Sequence, residues 1–265
     1  MAVHKIDEWK SYYEHNNLVT IVWEHTENGT LYSVRQAGES VRLYSNRVFH
    51  SQWNPERPMS GAVWDCLSLP SLYRPQTELH RGALLGVGGG AVLRQLEVLR
   101  TFDSFYGIEL DEVHIDIAHD WFGVRDEHAT LIHDDAVGWL WRYDGEPFDL
   151  LIDDLFGHDE HEPVRAQALT QDWVNRLAEL TSAAGLLVVN CIDRSELYQA
   201  RARFKHAGFL HGTAFSQPQY DNHIGVFSRT ELSSKLWLDS LTESKLPSHA
   251  IRAAKSMVRR KLWSV

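Results

Sequence analysis

The sequence predicts an α/β fold in which helices cover both faces of a doubly wound, mostly parallel sheet. From residue 81 to residue 207, apolar runs of strand length alternate with segments of helical periodicity. This alternation is typical of parallel sheets. Residues 18–50 differ, because they are β-branched or aromatic and are interrupted by turn pairs such as Asn28-Gly29. They predict a small N-terminal antiparallel β-hairpin region.

The predicted elements follow in a regular order. After a helical segment at 61–73, the strands of the sheet are residues 81–85, 104–110, 129–133, 148–154 and 185–191. The longest helices between and after them are residues 111–122 and 195–207. Residues 208–215 and 222–228 are predicted to form a C-terminal antiparallel hairpin that closes the sheet edge. The chain thus divides into a hairpin region with a linking helix (1–75), a ligand-binding domain (76–230) and a basic helical tail (231–265).

Composition limits the classes of protein to which the chain can belong. Its 265 residues are 43% hydrophobic, which is ample for a large core. The formal net charge of −10 argues against nucleic acid or an anionic membrane as a partner, and we expect neither. Cys66 and Cys191 lie far apart in apolar segments. They favour a reducing, cytoplasmic location, and the sequence predicts no metal site.

A glycine-rich turn is the predicted centre of the function. In RGALLGVGGGAVLRQL, an apolar strand enters a cluster formed by Gly86, Gly88, Gly89 and Gly90 and leaves with helical periodicity. Glycine permits positive φ and close approach of a ligand to the backbone. The free N–H groups and the dipole of the following helix face the same point. The turn therefore predicts an anionic or carboxylate-bearing cofactor.

Acidic residues recur where the predicted strands end. Glu109 follows the second strand, Asp134 and Asp135 the third, and Asp153 and Asp154 the fourth. Ligands of open parallel sheets bind at these carboxyl ends. In order, the carboxylates suit the ribose hydroxyls, the adenine amino group and the reacting end of a nucleoside. Helix capping is the better explanation for any single position, but the recurrence favours a ligand.

Two kinds of cofactor fit this pattern. Gly86, Gly88 and Ala91 satisfy GxGxxA, and Glu109 follows at the distance expected of the ribose-binding acid in a dinucleotide fold. The acids after the third and fourth strands, however, have no diphosphate to bind and suit an adenosine with a cationic sulfonium. The sequence therefore favours S-adenosylmethionine or a derivative over NAD.

These motifs resemble those of the spermidine synthases (polyamine aminopropyltransferases) and their spermidine-synthase-like relatives. GVGGGAVLRQL is similar to the family's GGGDGGVLRE, GIELDEVHIDIAHDWF to VEIDxxVIxxAxxxF, LIHDDAVGWL to GDAxxFL, and FDLLIDDLFG to YDVIIxDSxDP. The likeness covers residues 18–229. It implies the Rossmann-like sheet of class I S-adenosylmethionine-dependent methyltransferases and a co-substrate that is S-adenosylmethionine or its decarboxylated form. By analogy alone it also implies a homodimer.

The resemblance implies site residues. The cofactor-binding residues are then Gly86, Gly88, Gly90, Glu109 and Asp135, and the adjacent Gly89, Asp134 and Ala136 complete the predicted set. Asp154 stands where the family has its catalytic aspartate, with Asp153 as the second candidate. From the residues themselves, the charged loop after Asp154 predicts a lid with His158 as a candidate base, and the alternative is a solvated charged loop. The predicted acceptor-binding residues are Asp154, His158 and Tyr220, which lies in the loop of the closing hairpin.

Three departures from the family pattern decide between reactions. Gly89 replaces the Asp of GGGDGG, Gly157 replaces the second Asp of DSxDP with His158 in place of its Pro, and the family's Tyr-x-Glu is absent from PMSGAVWDCL. The losses remove charge that a polycation needs. The sequence therefore favours a transferase that moves a methyl or related alkyl group to a small nucleophile such as an amine. The alternatives are aminopropyl transfer to a polyamine-type amine and a nucleoside-binding protein without catalysis.

The remaining segments carry weaker expectations. His114, on the helix after Glu109, is expected at the surface. Residues 245–265 contain six basic and no acidic residues. Their apolar stripe of Ile251, Ala254, Val258 and Leu262 predicts a helix that docks on the acidic body.

Overall fold

The computed structural model describes residues 19–159 and 162–264. In this part of the chain, a four-stranded antiparallel sheet precedes an eight-stranded, mostly parallel sheet with helices on both faces. A separate two-stranded hairpin extends from the large sheet. The predicted fold class is confirmed.

The small sheet is built from consecutive hairpins. Its strands are β1 (Thr20–Glu27), β2 (Thr30–Ala37), β3 (Ser40–Ser45) and β4 (Val48–Trp53). Each pairs antiparallel with the next. Asn28 and Gly29 both have positive φ, which suits the two-residue turn between twisted strands. A linking segment follows, with α1 (Val63–Ser68) and two 3-10 helices (Leu69–Tyr73 and Gln76–Glu78).

The large sheet has the strand order β14-β12-β13-β11-β8-β5-β6-β7. Its strands are β5 (Arg81–Leu85), β6 (Ser104–Glu109), β7 (Thr130–His133), β8 (Phe148–Asp153), β11 (Thr181–Cys191), β12 (His211–Ser216), β13 (His223–Ser228) and β14 (Val258–Ser264). Strands β7, β6, β5, β8 and β11 are parallel neighbours. The order reverses between β5 and β8, and such a reversal opens a crevice for ligands at the carboxyl ends of the strands.

Helices cover both faces of this sheet. They are α2 (Ala91–Leu99), α3 (Glu112–Asp120), α4 (Ala136–Arg142), α5 (Gln171–Glu179) and α6 (Arg194–His206). Successive strand residues point to opposite faces, so Leu84 and Ile152 lie in one core cluster while Leu85 and Leu151 lie in the other. Burial on both sides explains why these strands are apolar throughout.

The small sheet docks on α3. Val34 and Leu43 from the small sheet share a buried cluster with Val113 and Ile117 of the helix. Tyr32 adds a hydrogen bond, because its hydroxyl donates to Asp111 Oδ2 at 2.7 Å. The small sheet is thereby held beside the carboxyl end of β6.

The basic tail differs from the predicted helix. It forms α7 (Ser234–Glu243), α8 (Ser248–Ser256) and then β14, which pairs antiparallel with β12. The helical prediction is wrong for Val258–Ser264, and β14 rather than the β12–β13 hairpin is the sheet edge. The physical reason is the free edge of β12. Pairing there buries Trp263 against Phe227 at a ring distance of 5.5 Å, whereas Val258 of the predicted apolar stripe is exposed.

The described residues also bear on the expectations from composition. Cys66 and Cys191 are buried free thiols, and burial raises the pKa of both. No helix in the described ranges is long and apolar enough to cross a membrane. The same ranges contain no group of three or more His, Cys, Asp or Glu side chains placed to hold a metal ion.

Replacing Trp263 by alanine tests the packing of β14. Trp263→Ala removes a buried ring, so we expect the free energy of unfolding to fall by about 3 kcal/mol in urea denaturation. Lys261→Ala, on an exposed position of the same strand, is the matched control and should change stability by less than about 0.5 kcal/mol. Equal effects of the two substitutions would contradict this account of the edge.

Candidate active site

One cleft at the carboxyl ends of β5, β6 and β8 brings together most of the predicted residues. Its volume is about 1350 Å³. The predicted residues that line it are Gly86, Gly88, Glu109, Asp135, Ala136, Asp154 and Tyr220. The small sheet contributes Arg47 and His50 to the wall, and the opposite wall comes from the ends of β11 and β13. A shared nucleoside-sized cleft is therefore present.

Two glycines of the turn are needed because of close approach to other parts of the protein. Gly86 has φ +85°, and a Cβ there would lie 2.4 Å from the backbone oxygen of Asp154. Gly88 has φ +55°, and its Cβ would lie 3.0 Å from Ser51 Oγ. Side chains at these positions would push β5 away from its neighbours.

Gly89 and Gly90 are placed differently from the prediction. A Cβ on Gly89 would lie 2.8 Å from the Phe122 ring, and a Cβ on Gly90 would lie 2.6 Å from Val124. Neither glycine lines the cleft. Their geometry does not support contact with a cofactor, because the protein itself covers them.

Glu109 holds the turn together. Its Oε2 accepts hydrogen bonds from Val87 N at 2.9 Å and Gly88 N at 2.7 Å, and its Oε1 accepts one from Asp111 N at 3.0 Å. Oε2 thus accepts two hydrogen bonds and Oε1 accepts one, so Oε1 retains one lone pair for a hydroxyl group of a ligand. The amides of the turn, in contrast, are already used.

The remaining amides of the turn are also satisfied within the protein. Gly86 N donates to Ile108 O at 2.9 Å, Gly89 N to Ser51 Oγ at 2.8 Å and Gly90 N to Val87 O at 3.0 Å. Every amide from Gly86 to Gly90 thus has an internal acceptor. This corrects the expectation of an anion-binding turn, because no N–H in this stretch is left for a carboxylate.

The two acids after β7 have separate roles. Asp135 caps α4, since its oxygens accept from Val137 N at 3.2 Å and Gly138 N at 2.9 Å, and it also lines the cleft. Asp134 is not part of the lining, and its Oδ2 forms an ion pair with Arg142 Nη2 at 2.6 Å. The geometry therefore does not support Asp134 as a cofactor contact.

Asp153 and Asp154 point to opposite sides of the sheet end. Asp154 lines the cleft, and its Oδ1 accepts from Asn190 Nδ2 at 2.7 Å. Asp153 is fully buried away from the cleft, where it pairs with Arg165 and accepts from Trp173 Nε1 at 2.9 Å. Strand alternation separates the two side chains. Asp153 therefore cannot reach an acceptor and does not fit the predicted role of second base.

Burial raises the pKa of Asp154 to about 6. The negative charges of Asp153 and Glu109 contribute to this increase, while the hydrogen bond from Asn190 and the charge of Arg165 oppose it. A carboxyl group with this pKa exchanges its proton close to neutral pH, as a general base must.

The wall of the cleft that follows β11 and precedes β13 contains residues that the sequence did not assign. Asp193, Asp221 and Asn222 line it, and burial raises the pKa of the neighbouring Tyr220 to about 12. The recurrence of acids at strand ends could have indicated Asp193, which comes two residues after β11. For His158 the structure gives a backbone position in β9 (Phe156–Asp159) but no side-chain environment, and residues 160–161 lie outside the described residues.

The small sheet and α3 bring two histidines to the wall of the cleft. His114 is buried rather than exposed as expected, and its Nε2 lies 2.8 Å from Ser45 Oγ. Its ring is 4.9 Å from that of His50, and both line the cleft. The spacing of the helix alone could not show that a separate sheet would cover this face.

Comparisons with known proteins agree with this geometry. No family model matches the chain. Over 227 residues it is 26% identical to a polyamine aminopropyltransferase of Vibrio vulnificus, covering 84% of this chain and 71% of that protein.

Solved structures show the same fold. A probable spermidine synthase from Corynebacterium glutamicum matches with a TM-score of 0.68 and 17% identity over 89% of this chain and 95% of that chain. A spermidine synthase in complex with the transition-state analogue AdoDATO matches with a TM-score of 0.63 and 12% identity, over 88% of this chain and 83% of that chain. Human methyltransferase-like protein 13 in complex with SAH matches with a TM-score of 0.57 and 13% identity, over 73% of this chain and 92% of that chain. The resemblance to spermidine-synthase-like proteins and the methyltransferase-like fold are confirmed.

Replacing each of the two neighbouring aspartates by asparagine should change the stability of the protein in opposite directions. The pKa of Asp154 is higher in the folded than in the unfolded chain, so its ionisation costs stability as pH rises from about 4 to about 6. Asp154→Asn should therefore stabilise the protein above pH 6, by about 2 to 3 kcal/mol. Asp153→Asn leaves Arg165 without its buried partner and should destabilise it by about 3 kcal/mol or more.

Urea denaturation at pH 5 and pH 8 measures both effects. The gain from Asp154→Asn should be larger at pH 8 than at pH 5. A loss of stability in Asp154→Asn at pH 8 would contradict the assignment of Asp154 as a desolvated, strained carboxylate.

Proposed function

We propose that this protein transfers an aminopropyl group from decarboxylated S-adenosylmethionine to an amine. The sequence alone favours methyl transfer, and the comparisons favour its alternative, because the relative from Vibrio vulnificus is a polyamine aminopropyltransferase. A structural neighbour is a spermidine synthase bound to AdoDATO.

The saturated glycine turn is the observation that carries this choice. S-adenosylmethionine has a carboxylate on its methionine end, and the decarboxylated form does not. Because the amides from Gly86 to Gly90 all donate within the protein, the turn offers no N–H for that carboxylate. The decarboxylated co-substrate has no carboxylate, so its binding does not leave a carboxylate beside amides that are already used.

The charge of the cleft supports the same co-substrate. Among the described lining residues are six carboxylates and two guanidinium groups: Glu109, Asp111, Asp135, Asp154, Asp193 and Asp221, with Arg47 and Arg194. Decarboxylated S-adenosylmethionine carries a sulfonium and an ammonium without a balancing carboxylate. An acidic cleft favours such a dication, and it also favours a protonated amine as the second substrate.

The reaction is an in-line displacement. Asp154 in its ionised form removes one proton from the acceptor ammonium, and the freed lone pair attacks the aminopropyl carbon bound to sulfur. The C–S bond breaks, its electron pair leaves with sulfur as a neutral thioether, and the product nitrogen with its new C–N bond is a secondary ammonium. Most of the remaining acceleration comes from holding the two substrates in line within the cleft.

Methyl transfer is the second candidate function. Gly89 offers no carboxylate for the amino group of the aminopropyl chain, and the Phe122 ring and Ser51 occupy the space of a side chain there. A methyltransferase needs no such contact at the transferred group. The third alternative is a nucleoside-binding protein without catalysis, which would bind a co-substrate and form no product.

We also propose the class of acceptor and the location of the protein. A small amine as acceptor follows from the acidic wall, and a cytoplasmic location agrees with two free buried cysteines. Homodimerisation and the absence of nucleic acid as a partner remain predictions from the sequence.

Isothermal calorimetry and product analysis test the proposal. We expect decarboxylated S-adenosylmethionine to bind at least about tenfold more tightly than S-adenosylmethionine, a difference of about 1.4 kcal/mol. Incubation with a panel of diamines and polyamines should yield 5′-methylthioadenosine, detected by mass spectrometry. Asp154→Asn should retain co-substrate binding and lower kcat by about 10² to 10⁴.

A surface variant provides the control. Asp239→Asn, whose carboxylate pairs with the exposed Lys235, should leave kcat unchanged. Formation of S-adenosylhomocysteine instead of 5′-methylthioadenosine would establish methyl transfer. Binding without either product over the whole panel would support the non-catalytic alternative.

A further inference from the structure

Two asparagines extend the hydrogen bonding of Asp154 to the far wall of the cleft. Asn190 Nδ2 donates to Asp154 Oδ1 at 2.7 Å, and Asn222 Nδ2 donates to Asn190 Oδ1 at 3.0 Å. The three side chains belong to adjacent parts of the sheet, since β11 lies between β8 and β13. They form a continuous chain that ends on the candidate base.

The chain fixes the direction of the Asn190 amide. Asn222 supplies an N–H to its oxygen, so the amide nitrogen of Asn190 must face Asp154. In the reversed orientation two NH₂ groups would face each other and the carbonyl oxygen would face a carboxylate, which is unfavourable at both ends. Asn222 therefore determines which group Asn190 presents to Asp154.

The backbone of Asn190 is held separately. Arg165 Nη1 donates to Asn190 O at 2.5 Å, and the other end of the same guanidinium pairs with Asp153. Arg165 and Asn190 are both buried. The asparagine thus starts from a rigid main chain, and Asn222 is the side chain that selects its rotamer.

We propose that Asn190 and Asn222 are a positioning pair that occupies Oδ1 of Asp154 and leaves Oδ2 directed to the acceptor amine. This inference rests on the proposed function, because it assumes that Asp154 receives the acceptor. Neither asparagine is a base or a nucleophile. Their contribution is the orientation and the charge state of the carboxylate.

Other charged groups around Asp154 act in both directions. Asp153 on the same strand and Glu109 on β6 favour the protonated form, whereas Arg165 on β10 (Glu162–Arg165) favours the ionised form. The acceptor wall adds Asp221 and His223 to the cleft. With these charges fixed, removal of the Asn190 donor should raise the pKa of Asp154, because a hydrogen bond to the ionised form is lost.

The test measures this pKa through stability, independently of turnover. The free energy of unfolding is determined from pH 4.5 to pH 8.5 for the wild type and for Asn190→Leu, each with and without Asp154→Asn. The difference in free energy of unfolding between the proteins with and without Asp154→Asn grows with pH. It levels off above the pKa of Asp154 in the folded protein. We expect levelling near pH 6 in the wild type and about one pH unit higher in Asn190→Leu.

Asn222 provides the decisive second variant. Asn222→Ala keeps the Asn190 donor but removes the group that orients it, so the levelling point should also rise, by less than in Asn190→Leu. Asn222→Gln retains a donor and should restore part of the wild-type value. The matched control is Asn175→Leu, since Asn175 on α5 is hydrogen-bonded to Gln171 outside the cleft. This substitution should leave the levelling point unchanged.

The activity profile separates this inference from the proposed function. If aminopropyl transfer occurs, the acidic limb of kcat/KM should shift upward with the levelling point in both asparagine variants, and kcat should fall more than KM rises. If no transfer occurs but the levelling points move, the positioning pair stands and the proposed function fails. Levelling points unchanged from the wild type in Asn190→Leu and Asn222→Ala overturn the inference, whatever the activity.

Discussion

The contact between Gly86 and the main chain of Asp154 is the constraint on which the site depends. The backbone oxygen of Asp154 fills the space that a Cβ on Gly86 would need, and Asp154 N donates to Leu85 O at 2.9 Å. Strands β5 and β8 therefore end in direct contact, at the reversal of strand order. The glycine turn and the carboxylate of Asp154 therefore share one rigid piece of backbone.

Three acids around this contact are stabilised in different ways. Glu109 accepts backbone N–H groups, Asp153 has a guanidinium and an indole N–H, and Asp154 has one amide donor and an open cleft. The first two accept several hydrogen bonds each as parts of the framework. The ionised form of Asp154 is the least stabilised of the three. The rest of the fold compensates for this loss of stability, because a carboxylate that acts as a base near neutral pH must have few hydrogen-bond donors and charge partners.

Much of this could be predicted from local patterns. The glycine turn and the acids at strand ends located Gly86, Glu109, Asp135 and Asp154, because parallel strands carry such residues to one edge. Other features depend on tertiary packing. The sequence could not show that Glu109 and Ser51 would use the amides of the turn, or that Asn222 would meet Asn190 from another strand. The helical prediction for the segment that forms β14 was wrong because its apolar spacing suits a helix, whereas the free edge of β12 favoured a strand.

The hairpin of β9 and β10 illustrates how a site can vary without losing its chemistry. Its base is tied to the sheet, since Arg165 reaches Asp153 and Ala166 N donates to Leu155 O at 2.9 Å. Phe156 and Gly157 meanwhile line the cleft. Substitutions or insertions between Gly157 and Val164 would leave that anchor in place. Under the proposed function, an exchange of this loop would change which acceptor is admitted, while Asp154 and the wall formed by the glycine turn stay the same.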